Sequence, residues 1–218
     1  MPGEEVRMRL GMRDELDRVR LRRAAVAYAG HGWDVLPGAY LTRDRFFCGP
    51  GCRTVACHPA TMDGLRLASH EPDVVSEWWS GRPYSVLLAT GLTFDVLDVV
   101  DCAAVTPVAL RGPAAVTPSG RLMILVRPGA TLRPELAARP DTVLHGPRSW
   151  IPAPSTRTPN GRVRWLVDPV AVGWRLPDPQ VVQAGLVATL PAHRATPPAH
   201  RATAPGHRGT AAGHRTRR

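Results

Sequence analysis

Lysine is absent from this chain; all 28 basic residues are arginine. With abundant Ala, Gly, Pro and Val, this is the residue usage of a very GC-rich coding sequence. It excludes reading the arginines as selected one by one for guanidinium chemistry. Acids are few, 18 in all, and their shortage is local: residues 191–218 hold six arginines (194, 201, 208, 215, 217, 218) and no acid. Most of the net charge of +10 therefore sits at one end, a distribution that suits an anionic partner such as nucleic acid. No run of apolar residues is long enough for a transmembrane helix. The N-terminal MPGEEVRMRLGMRDELDRVR is charged throughout and lacks the apolar core of a signal peptide, so a cytoplasmic location without membrane contact is expected. Cysteine is limited to four residues, three of them clustered at Cys48, Cys52 and Cys57. In a reducing compartment such a cluster reads as a metal site or plain packing rather than as a disulfide.

What is present suffices for one domain with a real core: 218 residues, 44% hydrophobic. With 23 Pro and 20 Gly, many turns and at least one unstructured part are expected. Residues 13–30 read as a helix whose apolar positions are Leu16, Val19, Val26 and Ala27, closed by Gly30 and Gly32. Trp33 to Leu36 reads as a strand stopped by Pro37-Gly38, residues 43–60 as an irregular loop, and Pro72 to Trp79 as a helix. Strands follow at Ala115–Thr117, Leu122–Val126, Ser149–Pro152 and Val163–Val167, with a short helix near Pro134–Arg139 and another at 180–190. The order predicts an α+β fold, layered as a mixed sheet flanked by helices, with a largely antiparallel second half. Residues 1–19 are expected to be a charged extension leading into helix, 20–176 the domain, and 177–218 a disordered basic tail. That tail repeats every seven residues (PAHRATP, PAHRATA, PGHRGTA, AGHRTRR). No unit contains a large apolar residue, which excludes a coiled coil and leaves nothing to bury.

The stretch around which the rest is organised is Ser85 to Asp101, SVLLATGLTFDVLDVVD. Two apolar runs flank Thr90-Gly91 and read as adjacent strands of a buried hairpin. The second run carries Asp95, Asp98 and Asp101. A carboxylate in such a strand is costly to bury without a partner or a cation, so the hairpin is either a metal-binding catalytic edge or the remnant of one.

Four segments, in this order and spacing, resemble the bifunctional DNA primase/polymerase N-terminal (prim-pol) domain of the archaeo-eukaryotic primases, in its actinobacterial form. They are AVAYAGHGWDVLPG (25–38), CGPGC to CHPA (48–60), VVSEWWSGRPYSVLLATG (74–91), and FDVLDVV followed by TPSG and WIPAPS to VRWL. The resemblance covers about residues 20–168. It implies template-directed nucleotidyl transfer, with Mg²⁺ or Mn²⁺ held by an acidic pair and a third acid, and a Ser and a His gripping the triphosphate. Carried over residue by residue, the first acid falls on Asp98, the second on Val100, the third near Val143, the Ser on Ser119 and the His on Met123. One of three acids is retained and the His is lost. Asp101, through a bulge, and Asp141, two residues before Val143, are the candidate substitutes.

The residues carried forward are therefore Asp98, Asp101 and Asp141 for catalysis, with Asp98 as the Mg²⁺ or Mn²⁺ ligand, and Ser119 and Arg121 for the nucleotide. Cys48, Cys52, Cys57 and His58 are the candidate ligands of a structural Zn²⁺, with Phe46 standing where the family has another Cys. Trp78 and Trp79 could stack on bases, although helical spacing puts at least one in the core; His31 and His145 read as isolated surface histidines. The implied partners are nucleotides and single-stranded or primed DNA, with a helicase or other replication protein on a separate chain. Two functions stay open: a prim-pol-like domain with weak or lost polymerase activity, and a non-catalytic accessory DNA-binding protein acting through its tail.

Overall fold

The computed structural model describes residues 2–42, 44–49, 53–54, 56–61, 63–100 and 111–189, with side chains in the first helix described at residue 12 and from 14 onward. Helix α1 (Pro2–Gly30) leads into β1 (Val35–Gly38), a small hairpin β2 (Tyr40–Thr42) and β3 (Arg45–Phe47), a 3₁₀ turn at Gly64–Leu67, and α2 (Pro72–Trp78). Then come β4 (Ser85–Thr90), β5 (Asp95–Val99), β6 (Ala114–Val116), β7 (Leu122–Val126), α3 (Pro134–Ala137), β8 (Thr142–His145) and β9 (Ser149–Pro152). The chain closes with a two-residue hairpin β10 (Arg157–Thr158) and β11 (Gly161–Arg162), β12 (Arg164–Val167) and α4 (Pro179–Thr189).

The fold is α+β, and every pairing among the described strands is antiparallel. A three-stranded sheet in the order β1-β4-β9 faces a five-stranded sheet in the order β12-β6-β7-β5-β8. Along β5 and β7 every residue is buried, because both faces of the larger sheet are covered; this is why neither strand alternates apolar with polar. Val96, Met123, Leu125 and Ala115 pack with Trp33, Phe94 and Leu88 in one core layer. Leu97, Val99, Leu122 and Ile124 pack with Leu136, Val182 and Leu186 in the other.

Several expectations change. The stretch from Ser85 is not a paired hairpin: β4 and β5 belong to different sheets. Beside them β8 and β9 divide between the same two sheets, β8 on β5 and β9 on β4. The four strands form one long antiparallel ribbon, folded where Gly91 meets Pro147. A Cβ on Gly91 would lie 2.2 Å from Pro147 Cα, and Gly91 holds φ +99°, a backbone conformation open to glycine. The Thr90 hydroxyl donates to Gly146 O at 2.6 Å and locks the fold point. Pro37-Gly38 does not stop β1 but lies inside it. Val35 N donates to Ser69 O, so the nitrogen of Pro37, two residues on, faces the same way, away from β4, where no ladder donor is needed. Residues 45–47, expected as loop, pair with β2.

Helix α1 buries Asp17, Leu21, Ala25, Tyr28 and Ala29, not Leu16 and Val19, which are 67% and 38% exposed. Counting apolar residues alone hides this stripe because one of its members is a carboxylate. Asp17 accepts from Arg157 at 2.7 Å and from Arg162 at 2.6 Å, tying α1 to β10 and β11. Burial opposes its charge, but the hydrogen bonds from Arg162 and Arg157 win and hold its carboxyl below the ordinary value. Arg18 donates to the carbonyls of Trp79 and Ser80 at 2.9 and 3.0 Å, a cationic cap on the negative end of α2. At the other end of the chain, α4 lies within the stretch expected as tail, yet Val182 and Leu186 are buried against α3 and the larger sheet. The repeats at 191–218 lie outside the described residues. Among the described residues no helix is long and apolar enough to cross a membrane.

Two outcomes are expected. Asp17→Ala, which strands two arginines, should lower unfolding free energy by about 2–3 kcal/mol in urea titrations at neutral pH. The folded carboxyl is depressed, so this contribution is complete above the ordinary value of 3.8 and disappears as pH falls through the lower folded value; wild type and variant should converge in acid. Gly91→Ala should cost more than about 2 kcal/mol, because the new Cβ meets backbone and cannot be relieved by a rotamer change.

Candidate functional site

Asp98 sits in the middle of the larger sheet, between β7 and β8. Its direct cross-strand neighbours are Met123 on β7 and Val143 on β8, the two positions where the family resemblance places a phosphate-binding His and the third acid. Both are apolar. Val100, the position of the second acid, is 37% exposed and Val143 is 40% exposed, while Asp98 itself is only 7% exposed.

Asp98 is fully engaged by protein cations and donors. Arg121 Nε donates to Oδ1 at 2.8 Å. His145 Nε2 lies 3.3 Å from Oδ2, and His145 Nδ1 lies 3.0 Å from Ser149 Oγ. An ionised carboxylate only accepts, so the imidazole proton sits on Nε2 and Nδ1 accepts from the Ser149 hydroxyl. The fold point of the ribbon makes this possible: His145 ends β8 just before it and Ser149 begins β9 just after it. Among the described residues the terminal nitrogens of Arg121 make no hydrogen bond, and its side chain is 31% exposed. The cluster therefore pairs one guanidinium with one carboxylate and leaves one guanidinium edge open.

The expected residues scatter around this centre. Ser119 is exposed in the turn between β6 and β7, its hydroxyl 2.9 Å from Thr117 Oγ1; that same oxygen accepts from the backbone N of Arg121 at 3.1 Å, so the turn carrying Ser119 and Arg121 is preorganised. Asp141 is not extended but lies in the turn before β8, where Arg139 grips both its oxygens at 3.1 and 2.9 Å. Asp101 lies outside the described residues. Asp95 faces the opposite side of the sheet, as strand parity requires, and accepts from Ala130 N at 2.8 Å. Trp79 is wholly buried with Nε1 on Tyr84 O at 2.7 Å, so it cannot stack on a base; Trp78 packs against the same core. His31 is not isolated but stacks on Trp174 at 3.5 Å.

His145 is the residue that reading the sequence missed. The signal was Thr-Val-Leu-His between Pro140-Asp141 and Gly146-Pro147, a strand-sized run between turn pairs. Here an imidazole approaches Asp98 from β8, the strand on the other side of β5 from Met123.

The donor set decides which ions fit. Divalent magnesium or manganese needs several convergent oxygens. Around Asp98 the described residues offer one carboxylate, both of whose oxygens are already engaged, and three apolar side chains. This set does not fit a two-metal centre. In the Cys loop, Cys52 lies outside the described residues. Burial pushes the Cys57 thiol up to about 11, offset in part by its hydrogen bond with Ser85, and His58 Nδ1 lies 2.7 Å from Ala56 O. Among the described residues no three His, Cys, Asp or Glu side chains converge as metal ligands.

No curated protein matches the chain. The family model for the N-terminal domain of bifunctional DNA primase/polymerase matches residues 25–181, a span running from the buried half of α1, across both sheets and the Asp98 cluster, into α4. Most of the chain is covered, and it belongs to the prim-pol family, whose members are DNA primase/polymerase-like nucleotidyltransferases working on nucleic acid and nucleotides.

Proposed function

We propose that this chain is a cytoplasmic prim-pol domain that holds nucleotides and single-stranded or primed DNA but has lost, or nearly lost, template-directed synthesis. The observation that carries this reading is the environment of Asp98. Arg121 and His145 occupy its two oxygens, and Met123 and Val143 stand on either side of it. Transfer by two metal ions needs a cluster of negative charge that the ions then neutralise. Here the Arg121 guanidinium already neutralises Asp98, which leaves no cluster of negative charge for the ions to neutralise. The open guanidinium edge of Arg121 and the Ser119 hydroxyl on the same turn are the groups that would meet a triphosphate. Strand opening, in this reading, comes from a helicase or replication protein on a separate chain.

A second reading, favoured by the six arginines and no acid in residues 191–218, makes the tail the sole DNA-binding element. Deleting it would then abolish salt-sensitive binding altogether, whereas the first reading expects nucleotide binding to survive the deletion.

The test is primer extension with Mn²⁺ and labelled nucleotides on a primed single-stranded template, with Asp98→Ala alongside. Neither protein should extend the primer. Nucleotide affinity should be unchanged by a chelator and should rise on the order of fivefold in Asp98→Ala, because a carboxylate next to Arg121 has been removed. Extension that depends on Asp98, or chelator-sensitive binding abolished in Asp98→Ala, overturns the proposal.

A further inference from the structure

The face of the β2–β3 hairpin opposite the core is built unlike an ordinary solvated edge. In this antiparallel pair Tyr40 stands opposite Phe47, and Thr42 opposite Arg45. These four share the outer face, while Leu41 and Phe46 point the other way. Phe46 is 9% exposed, but Phe47 is 36% exposed. Its ring meets Tyr40 edge-on at 5.6 Å, and Tyr40 meets Tyr84 in the same way at 5.8 Å. Arg82 donates to the Tyr40 hydroxyl at 2.9 Å, with its guanidinium carbon 5.8 Å from the ring centroid. Arg45, Phe47 and Arg53 also line an open cavity of about 510 Å³.

A hairpin of three-residue strands is marginal in water. Phe47 packs edge-on against Tyr40 within the hairpin, yet 36% of it stays exposed on the outer face, away from the core beneath. The Tyr40–Phe47–Tyr84 row offers π-faces and edges held at fixed angles. Arg45, Arg53 and Arg82 surround it with positive charge, countered among the cavity's lining residues by Asp44 alone. Aromatic rings interleaved with arginines bind unpaired bases by stacking and their phosphates by charge. A duplex, whose bases are already stacked, can use only the charge. Among the described residues no hydrogen bond or ion pair joins these groups to Asp98, Arg121 or His145.

We propose that the outer face of the β2–β3 hairpin, centred on Phe47 and Tyr40 and flanked by Arg45, Arg53 and Arg82, is a stacking platform for single-stranded nucleic acid. The inference rests on the reading that this domain holds such strands, and it names the surface that does so. The experiment uses the full chain without divalent ions. It follows the anisotropy of a short fluorescein-labelled oligothymidylate, and of a duplex of the same length, with wild type, Phe47→Leu, Phe47→Trp and the double variant Arg45→Ala, Arg53→Ala. The basic tail contributes to every sample alike, so ratios between variants isolate the hairpin. Phe47→Leu should weaken single-strand binding by about tenfold or more while leaving duplex binding within about twofold, and Phe47→Trp should restore it. The arginine double variant should flatten the salt dependence by about two phosphate contacts. If Phe47→Leu binds the single strand as wild type does, or loses single strand and duplex equally, the platform is wrong while the domain-level reading stands. If wild type fails to bind oligothymidylate at all, both readings fall.

Discussion

The close approach of Gly91 to Pro147 governs the rest of the architecture. With no Cβ at Gly91, the connections β4 to β5 and β8 to β9 can cross in contact, and a single antiparallel ribbon serves two sheets. Everything buried between the sheets, including Trp33, Phe94, Val96 and Met123, depends on the angle set there. So does the candidate site. His145 and Ser149 flank the crossing, and their hydrogen bond at 3.0 Å holds the imidazole where it can reach Asp98. A wider crossing would move β8 relative to β5 and take His145 away from the carboxylate. The fold point is thus a structural device and a positioning device at once.

Burial sets the terms for the three buried aspartates among the described residues, and each meets them differently. Asp17 is compensated by two arginines from a distant hairpin, and in exchange it fastens the first helix to the end of the domain. Asp98 is compensated by one arginine and one histidine from the strands on either side. Asp95, fully buried, takes one backbone N–H on Oδ2, and its Oδ1 has no hydrogen-bond partner among the described residues. A carboxylate removed from water without such partners destabilises the chain by several kcal/mol, so these contacts are requirements of the fold before they are features of a site.

Much of the architecture was legible in the sequence, and what was hidden shares a cause. The apolar runs at 85–90, 95–99, 122–126 and 149–152 are strands, because β-branched and Leu-rich segments between turn residues have few alternatives. Which strands pair was not legible. Thr90-Gly91 looks like a hairpin turn, and only the presence of Pro147 in space shows that it is a crossing. The buried stripe of α1 was hidden because Asp17 is polar; α4 was read as a helix, but its packing onto the domain was hidden because Val182 and Leu186 follow a Pro-rich stretch with the composition of a tail. At the site, parity along β5 correctly separated Asp95 from Asp98. The family comparison singled out Met123 and Val143, and the register makes both cross-strand neighbours of Asp98. Arg121 was singled out for a phosphate, but its partner in the structure is Asp98. His145 was missed because a histidine has no periodicity of its own; it gains meaning only when β8 is registered against β5.

The apolar neighbours of Asp98 and its pairing with Arg121 go together. Three carboxylates converging on a sheet repel one another and are tolerable because metal ions bind between them. With Val and Met in the neighbouring positions, the carboxylate has no second acid to share a metal with, and Arg121 supplies its counter-charge while His145 supplies a hydrogen bond. The two states exclude each other electrostatically: a guanidinium 2.8 Å from Asp98 disfavours a divalent cation at the same oxygen by the same Coulomb interaction that stabilises the carboxylate. Restoring an acid at Val100 alone would therefore not recreate the family's metal centre. The new carboxylate would find Arg121 beside it, and the arginine would bridge two acids where an ion is required. Recovery of the chemistry would need the cations removed together with the acids restored. The match over residues 25–181 identifies the family of this fold, and the pairing of Asp98 bears separately on its chemistry.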